Sequence, residues 1–186
     1  MDMVSFTRMD QGTAEDYALI DRLEVANKQV HLVDNLFDLL RSLAGPTLGY
    51  PIDRYQHSLQ SATRALRDAA DEETVVAALL HDVGDVHAPE NHSAIAAAVL
   101  RPYVSDRTHW VVNHHGLFQG SYYYHYLGRD RDGRGRFRGH PHFQACAEFC
   151  ERWDQCAFDP DYDTLPLAAF EPLVRRIFAR EPTFAD

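Results

Sequence analysis

Apolar residues recur at helical intervals along most of the chain, and convincing strand alternation is absent. The segment over about 32–44 shows the pattern most plainly, and Gly45-Pro46 ends it. Its leucines are Leu32, Leu36, Leu39, Leu40 and Leu43. The sequence therefore predicts an all-α protein.

The same periodicity predicts eight helices in all. They cover about 14–28, 32–44, 53–69, 72–83, 91–101, 106–115, 141–156 and 167–179. The first begins at an N-cap region over 13–16, and the fourth has an acidic first turn, as the helix dipole favours. Gly116 is expected to end the sixth helix, and the arginine- and glycine-rich segment 128–139 predicts an exposed loop.

The chain has 186 residues, the size of one domain, and its 45% hydrophobic residues suffice for a sizeable core. We expect a single-domain helical bundle. Within it, residues 1–30 are expected to form an N-terminal extension and helix, residues 50–156 the core that holds the chemistry, and residues 157–186 a C-terminal helix.

Composition excludes several classes of function. No apolar run approaches ~18 residues, so no membrane span is expected, and no secretion signal opens the chain, so we expect a cytoplasmic protein. The net charge of -10 argues against nucleic acid as a partner. Lys28 is the only lysine, which argues against Schiff-base chemistry. An odd set of three cysteines argues against a disulfide framework, and Cys146 and Cys150 are expected to pack in the interior.

The pair His81-Asp82, at the end of an apolar helical run, is the first candidate for chemistry. An adjacent imidazole and carboxylate can give one ligand each to two metals. His57 lies 24 residues earlier, His92 lies 11 residues later and His115 a further 23, and Asp154 completes the set. Imidazole with carboxylate suits iron, manganese, zinc or cobalt better than calcium.

The natural division places His57, His81 and Asp154 on one metal, and His92 and His115 on the other. Asp82 would bridge the two, and His81 and Asp82 are the residues expected to matter most for catalysis. Two neighbouring metals can activate water, or can bind dioxygen when the metal is reduced iron. Each residue taken alone also has an ordinary interpretation, as a hydrogen-bonded helix histidine or a surface carboxylate.

Three segments resemble the HD-domain superfamily of metal-dependent helical proteins: Gln56–Gln60, Leu79–Gly84 and Asp154. The resemblance covers about 50–156. Many members are phosphohydrolases, and a smaller branch consists of mixed-valent di-iron oxygenases that includes myo-inositol oxygenase and phosphonate-cleaving oxygenases. The chain looks most like the phosphonate-cleaving oxygenases, in His57-Ser58-Leu59-Gln60, in the His57–His81 gap and in Trp153-Asp154.

This resemblance implies a set of ligands and a reaction. The family's six ligands fall on His57, His81, Asp82, His92, His115 and Asp154, with His115 chosen over its neighbour His114. It implies two iron ions, Fe(II) and Fe(III), with manganese as an alternative. One iron would chelate a small hydroxylated substrate and the other would bind dioxygen, leading to oxidative C–C or C–P cleavage.

Positions around the ligands depart from that branch. Its Tyr/Glu lid is matched only by Tyr50 and Asp53, Gln119 stands where relatives use lysine, and Asp85 where they often have histidine or lysine. Less positive charge is thus expected in the pocket. Asp85 beside aromatic residues such as Tyr123 suits an ammonium group, for example that of a trimethylammonium-bearing hydroxyphosphonate. Alternatively, Asp85 supports a ligand histidine and the tyrosines pack a helix junction.

Three functions remain open at this point. The first is the di-iron oxygenase, and the second is a metal-dependent phosphohydrolase acting on a phosphoester or nucleotide through the same ligands. The third is a metal-binding domain without catalysis, which the complete ligand set disfavours. The arginines of 128–139 belong either to a solvated loop or to a clamp for an anionic group.

Overall fold

The structure, a computed structural model, describes residues 3–183. Within that range the regular secondary structure is entirely helical. This confirms the predicted all-α class. The α-helices are α1 Ala14–Arg41, α2 Arg54–Arg67, α3 Glu72–Leu80, α4 His92–Leu100, α5 Asp106–Tyr123, α6 Phe143–Phe149 and α7 Glu171–Phe178. None of the helices in residues 3–183 is both long and apolar enough to cross a membrane.

The chain divides into two compact units, Met1–Phe37 and Asp38–Asp186, with the boundary inside α1. In the first unit, Thr13 and Asp16 form a reciprocal N-terminal cap, because the Asp16 amide donates to Thr13 Oγ1 (3.3 Å) and the Thr13 amide donates to Asp16 Oδ2 (3.0 Å). The prediction of separate helices over 14–28 and 32–44 was wrong. The helix continues because residues 28–32 contain neither glycine nor proline.

In the second unit, α3 is the centre of the core. Every residue of α3 from Thr74 to Leu80 is buried, and Leu79 and Leu80 are fully so. Helices α2, α5 and α7 pack against it. Burying each large aliphatic side chain contributes about 1.5–3 kcal/mol, so this apolar helix fixes the position of the residues that follow it.

Several predicted helix ends differ from the structure. α3 ends at Leu80, and residues 81–87 form turns instead of the predicted last turn. α5 continues through Gly116 to Tyr123. Gly116 permits close packing rather than a helix end, since a Cβ there would lie 2.9 Å from Ser93 Oγ on α4.

The predicted helices near the end of the chain are also interrupted. The one over 141–156 begins as α6 and then widens into a π-helical turn, Cys150–Asp154. The one over 167–179 begins as a 3-10 turn, Leu167–Ala169, before α7. Segment 128–139 is largely exposed, as expected, with a 3-10 turn over Gly133–Phe137.

Gly84 allows α4 to approach the turn that follows α3. A Cβ on Gly84 would lie 2.9 Å from both Cα and the carbonyl oxygen of His92. Because those atoms belong to the backbone, they cannot rotate away. We expect Gly84→Ala to lower the free energy of unfolding by about 1–3 kcal/mol, the usual cost of overpacking, as measured by urea denaturation.

Gly139→Ala is the matched control for this change. A Cβ at Gly139 meets nothing within 4 Å. The same urea measurement should find its stability close to that of the wild type, and an equal loss in both variants would contradict the packing argument.

Glu73 joins the first turn of α3 to the first turn of α5. Its carboxylate accepts hydrogen bonds from the Ser105 amide (2.9 Å) and Thr108 Oγ1 (3.0 Å), and it also pairs with Arg180. Partial burial alone would raise the pKa of Glu73, but these donors outweigh burial and lower the pKa to about 2. The contact therefore stabilises the fold only while Glu73 is ionised.

The pH dependence follows from the sign of that shift. The folded pKa lies below the unfolded one, so the stabilisation is complete above the ordinary glutamate pKa and is lost as pH falls towards about 2. We expect Glu73→Gln to unfold at lower urea concentration at neutral pH, with the difference shrinking between pH ~4.5 and ~2. A pH-independent difference between the two proteins would contradict this assignment.

Candidate metal centre

The histidines of the candidate site share one hydrogen-bonding pattern. In each, ring Nδ1 lies within hydrogen-bond distance of a backbone carbonyl oxygen. The pairs are His57–Ala157 (3.0 Å), His81–Ala78 (2.8 Å), His92–Pro89 (2.7 Å) and His115–Val112 (2.7 Å). Because a carbonyl can only accept, each Nδ1 carries the hydrogen, and Nε2 of the neutral ring keeps its lone pair for a metal or a proton.

The carboxylate of Asp82 lies between two pairs of these Nε2 atoms. Its Oδ2 is 3.7 Å from His57 Nε2 and 3.5 Å from His81 Nε2. Its Oδ1 is 3.5 Å from His92 Nε2 and 3.2 Å from His115 Nε2. Each oxygen therefore serves a different histidine pair, which is the arrangement that a carboxylate bridging two cations requires.

Asp154 adds a second carboxylate beside the first pair. Its Oδ1 lies 3.3 Å from His57 Nε2 and 3.7 Å from His81 Nε2. The same oxygen accepts a hydrogen bond from Gln119 Nε2 at 3.0 Å. Oδ2 of Asp154 is buried without a hydrogen-bond partner among the described residues. An unsatisfied carboxylate oxygen in the interior is costly unless a cation or donor reaches it.

The facing ring nitrogens show that this donor set fits metal ions. His57 Nε2 and His81 Nε2 are only 3.1 Å apart, although neither carries a hydrogen in the tautomer that the carbonyls impose. Two lone pairs at that distance repel unless a metal ion or a proton lies between them. Burial would lower the pKa of His57, but the hydrogen bond and charge of Asp154 raise it, so His57 binds a proton readily when no metal is bound. Two compact groups of potential ligands result: His57 with His81 and Asp154, and His81 with Asp82 and His115.

His92 belongs to the cluster less tightly than the other ligands. It lies outside both compact groups, and its side chain is 23% exposed, whereas His57, His81 and His115 are buried. Its Nε2 also lies 3.2 Å from Ser93 Oγ. The half of the centre that contains His92 is therefore the more open one.

The ionisation of the cluster is consistent with a cation site. Burial lowers the pKa of His81 to about 4. Burial would raise the pKa of Asp82, but the neighbouring His81 and His115 hold it well below its usual range. The pKa of Asp154 is likewise lowered because His57 outweighs the effect of burial. Both carboxylates are thus anionic at neutral pH, and a metal would compete with protons for the same lone pairs.

The π-helical turn Cys150–Asp154 places Asp154. Both Trp153 and Asp154 are buried there, and Trp153 Nε1 donates to Asp68 Oδ2 at 2.8 Å, which anchors the turn to the end of α2. Cys150 Sγ lies 3.5 Å from the His115 carbonyl, so the turn also contacts α5. Cys146 and Cys150 are buried free thiols, as expected.

A cavity of about 190 Å³ opens beside the cluster. Asp82, His92, His115 and Asp154 contribute to its wall. So do four of the residues predicted to contact substrate, namely Tyr50, Asp85, Gln119 and Tyr123. The cavity therefore joins the candidate ligands to most of the candidate substrate residues.

Asp53, which was predicted to contact substrate as a lid residue, is not among the residues that line this cavity. Its carboxylate is the N-cap of α2 and accepts from the Gln56 amide at 2.8 Å. The Gly45 amide approaches the same side chain at 3.4 Å. The Asp53 side chain is thus engaged in holding the start of α2, which carries His57.

Three residues of the cavity wall were not singled out from the sequence: Arg54, Gln155 and Phe158. Phe158 stacks on His57 (4.4 Å between ring centroids) and on Tyr50 (5.0 Å). Arg54 lies three residues before His57, a spacing that places both on one face of α2 and could have been recognised. The expectation of a pocket poor in positive charge overlooked Arg54.

The remaining histidines near α5 lie elsewhere. His114 stacks on Trp110 (4.1 Å between centroids), and its Nδ1 lies 2.8 Å from the Trp110 carbonyl. His140 stacks on the same indole (4.2 Å), with His142 at its edge. These three residues pack around Trp110, while His115 faces Asp82.

Comparison with known proteins identifies the family. The HD domain family model matches residues 54–156, which is more than half of the chain. The chain belongs to the HD domain family. Every candidate ligand from His57 to Asp154 lies within the matched residues of this HD domain, as does Arg54. No curated protein matches the chain as a relative.

Membership in the HD domain family together with the two ligand groups supports a metal-dependent enzyme. We expect His81→Ala and Asp82→Ala to purify with substantially less metal than the wild type, since each removes a ligand from the compact groups. Metal content per chain, measured by inductively coupled plasma mass spectrometry, checks this.

Asp163→Ala is the control for metal content. Asp163 is exposed and pairs with Arg67 on the surface, at 2.7 Å. Its metal content should equal that of the wild type. Full metal content in either His81→Ala or Asp82→Ala would refute the site.

Proposed function

We propose that the chain is a non-haem di-iron oxygenase that uses dioxygen for oxidative C–C or C–P cleavage of a small hydroxylated substrate. The observation that carries the proposal is the position of Asp82, whose two oxygens face different histidine pairs. A single metal would not need that division. In the proposed centre, Asp82 would contribute one oxygen to each of two ions.

The remaining ligands divide accordingly. His57, His81 and Asp154 would hold one ion, and His92 and His115 would hold the other. When bound, an Fe(II)/Fe(III) pair would supply dioxygen activation and a binding point for the substrate hydroxyl. The protein's part is to fix the four imidazole rings through their Nδ1–carbonyl hydrogen bonds and to keep the lone pairs directed at the ions.

The preference for iron and oxygenation rests on the resemblance of His57-Ser58-Leu59-Gln60 and of Trp153-Asp154 to the oxygenase branch. Gln60, in the first of these segments, contacts the chain that follows the second. Gln60 accepts from the Asp159 amide (3.1 Å) and donates to the Asp159 carbonyl (2.8 Å). This pair of bonds ties α2 to the chain just after Asp154, so the ligands of the first ion are held together.

The cavity suits a small substrate. Tyr50 and Phe158 stack at one side, and Tyr122 and Tyr123 lie at another. A trimethylammonium group on the substrate is the less supported variant of the proposal. Asp85, the carboxylate that would attract it, already lies 3.4 Å from the guanidinium of Arg54.

A metal-dependent phosphohydrolase is the second candidate. The same ligands would then activate a water molecule against a phosphoester, and Arg54 at the cavity gives this function a specific observation in its favour. A guanidinium can hold phosphate oxygens through paired hydrogen bonds. Redox behaviour distinguishes the two functions.

Spectroscopy of the iron-loaded protein tests the proposal. After anaerobic loading with iron and partial reduction, we expect the EPR signal of a coupled Fe(II)/Fe(III) pair, and oxygen uptake when hydroxylated phosphonates are added. A protein that stays EPR-silent and hydrolyses phosphoesters with manganese would instead be the phosphohydrolase.

Two adjacent histidines provide a matched pair of variants. His115→Ala should lose the coupled signal, because His115 Nε2 lies 3.2 Å from Asp82 Oδ1. His114→Ala should retain it, since His114 stacks on Trp110 away from the cluster. Equal spectra from the two variants would argue against the assigned ligands.

A further inference from the structure

Arg54 is the one arginine or lysine among the described residues that line the cavity. It is the first residue of α2, one turn before His57, and its side chain is 28% exposed. The guanidinium carbon lies 4.8 Å from the centroid of the Tyr50 ring, so the aromatic face supports its position.

The contacts of Arg54 with carboxylates are longer than hydrogen-bonded ion pairs. Its Nη1 lies 3.8 Å from Asp82 Oδ2, and its Nε lies 3.4 Å from Asp85 Oδ2. By contrast, Arg67 lies 2.7 Å from Asp163 on the surface. Charge-assisted N–H···O bonds are about 2.7–2.9 Å long. Asp82 and Asp85 therefore form long ion pairs with Arg54, and neither carboxylate makes a short hydrogen bond to its guanidinium.

The charge of the metal-loaded cavity favours an anion. Two divalent cations carry twice the charge of Asp82 and Asp154 together, so the loaded centre is net positive. Asp85 and Arg54 cancel one another. An anionic group entering the cavity would thus be attracted by the metals and could use the guanidinium of Arg54 as a paired donor.

We propose that Arg54 is a specificity-determining residue that binds an oxyanion group of the substrate, a carboxylate or a phosphorus oxyanion, with Tyr50 as its aromatic support. This inference rests on the proposed metal centre. Since Arg54 lies within 3.8 Å of the bridging Asp82, the oxyanion binds next to the metals. The substrate is then short, with its anionic group close to the reacting carbon.

Anion binding to the metal-loaded full-length chain tests this role. Inorganic phosphate and acetate are titrated separately by calorimetry into manganese-loaded protein at constant ionic strength. We expect Arg54→Gln to weaken the binding of the preferred anion by about tenfold or more, as loss of a charge-assisted hydrogen bond predicts. Arg54→Lys keeps the positive charge but loses the planar pair of donors, so its affinity for the anion should lie between those of the wild type and Arg54→Gln.

Arg67→Gln is the matched control, because Arg67 lies on the same helix, also lies near a tyrosine ring (Tyr162, 5.1 Å), and is outside the cavity. It should bind phosphate and acetate as the wild type does. Thermal unfolding and metal content are measured for every variant. Arg54→Lys provides the comparison if Arg54→Gln is unstable.

The outcomes are decisive in both directions. Arg54-dependent binding of either anion supports the proposal. The anion that binds more tightly shows whether the substrate group is a carboxylate or a phosphorus oxyanion. Three outcomes would overturn the proposal. The wild type and Arg54→Gln could bind the anions with equal affinity, Arg67→Gln could lose as much affinity as Arg54→Gln, or the wild type could bind neither anion. Because the titration uses manganese, failure of the oxygenase assignment appears in the EPR experiment and not here.

Discussion

The hydrogen-bond acceptors gathered at the candidate metal centre repel one another, and the fold must hold them together against that repulsion. Four backbone carbonyls fix the imidazole tautomers, so in the neutral rings the nitrogens that converge on Asp82 and Asp154 present lone pairs. The fold buries most of these groups, and repulsion between acceptors is stronger in the interior than in water. Metal ions would satisfy these acceptors, and the packing of α3 and its neighbours holds them together.

Helix α3 links the core to the chemistry. Its residues from Thr74 to Leu80 are buried, so it can hold the turn at His81-Asp82 in one position. Two glycines then let the next elements approach. Gly84 leaves room for the backbone of His92, and Gly116 leaves room for the side chain of Ser93, so α4 packs closely against both the turn after α3 and helix α5. Apolar packing around α3 and the two glycines thus position the candidate ligands.

Much of this arrangement could be predicted from the sequence. The helical class and the order of the ligands follow from periodicity and from spacing, and His115 was distinguished from His114 through family resemblance. Long-range packing decided the rest. The sequence gives no local reason for a π-helical turn at Cys150–Asp154, since Trp153 is anchored by Asp68, far away in the chain. The capping role of Asp53 and the place of Arg54 in the cavity wall were not predicted. Both depend on how α2 meets the loops around it, which the local sequence does not reveal.

The unequal burial of the two histidine pairs has a kinetic consequence. His57 and His81 are enclosed, whereas His92 is partly open to solvent. An ion held by His92 and His115 would exchange with the surrounding solution faster than its neighbour, because solvent can replace a more accessible ligand. A protein with one ion bound would then be the intermediate of metal uptake and loss. The occupancy of the centre becomes a function of metal supply and of the time since purification.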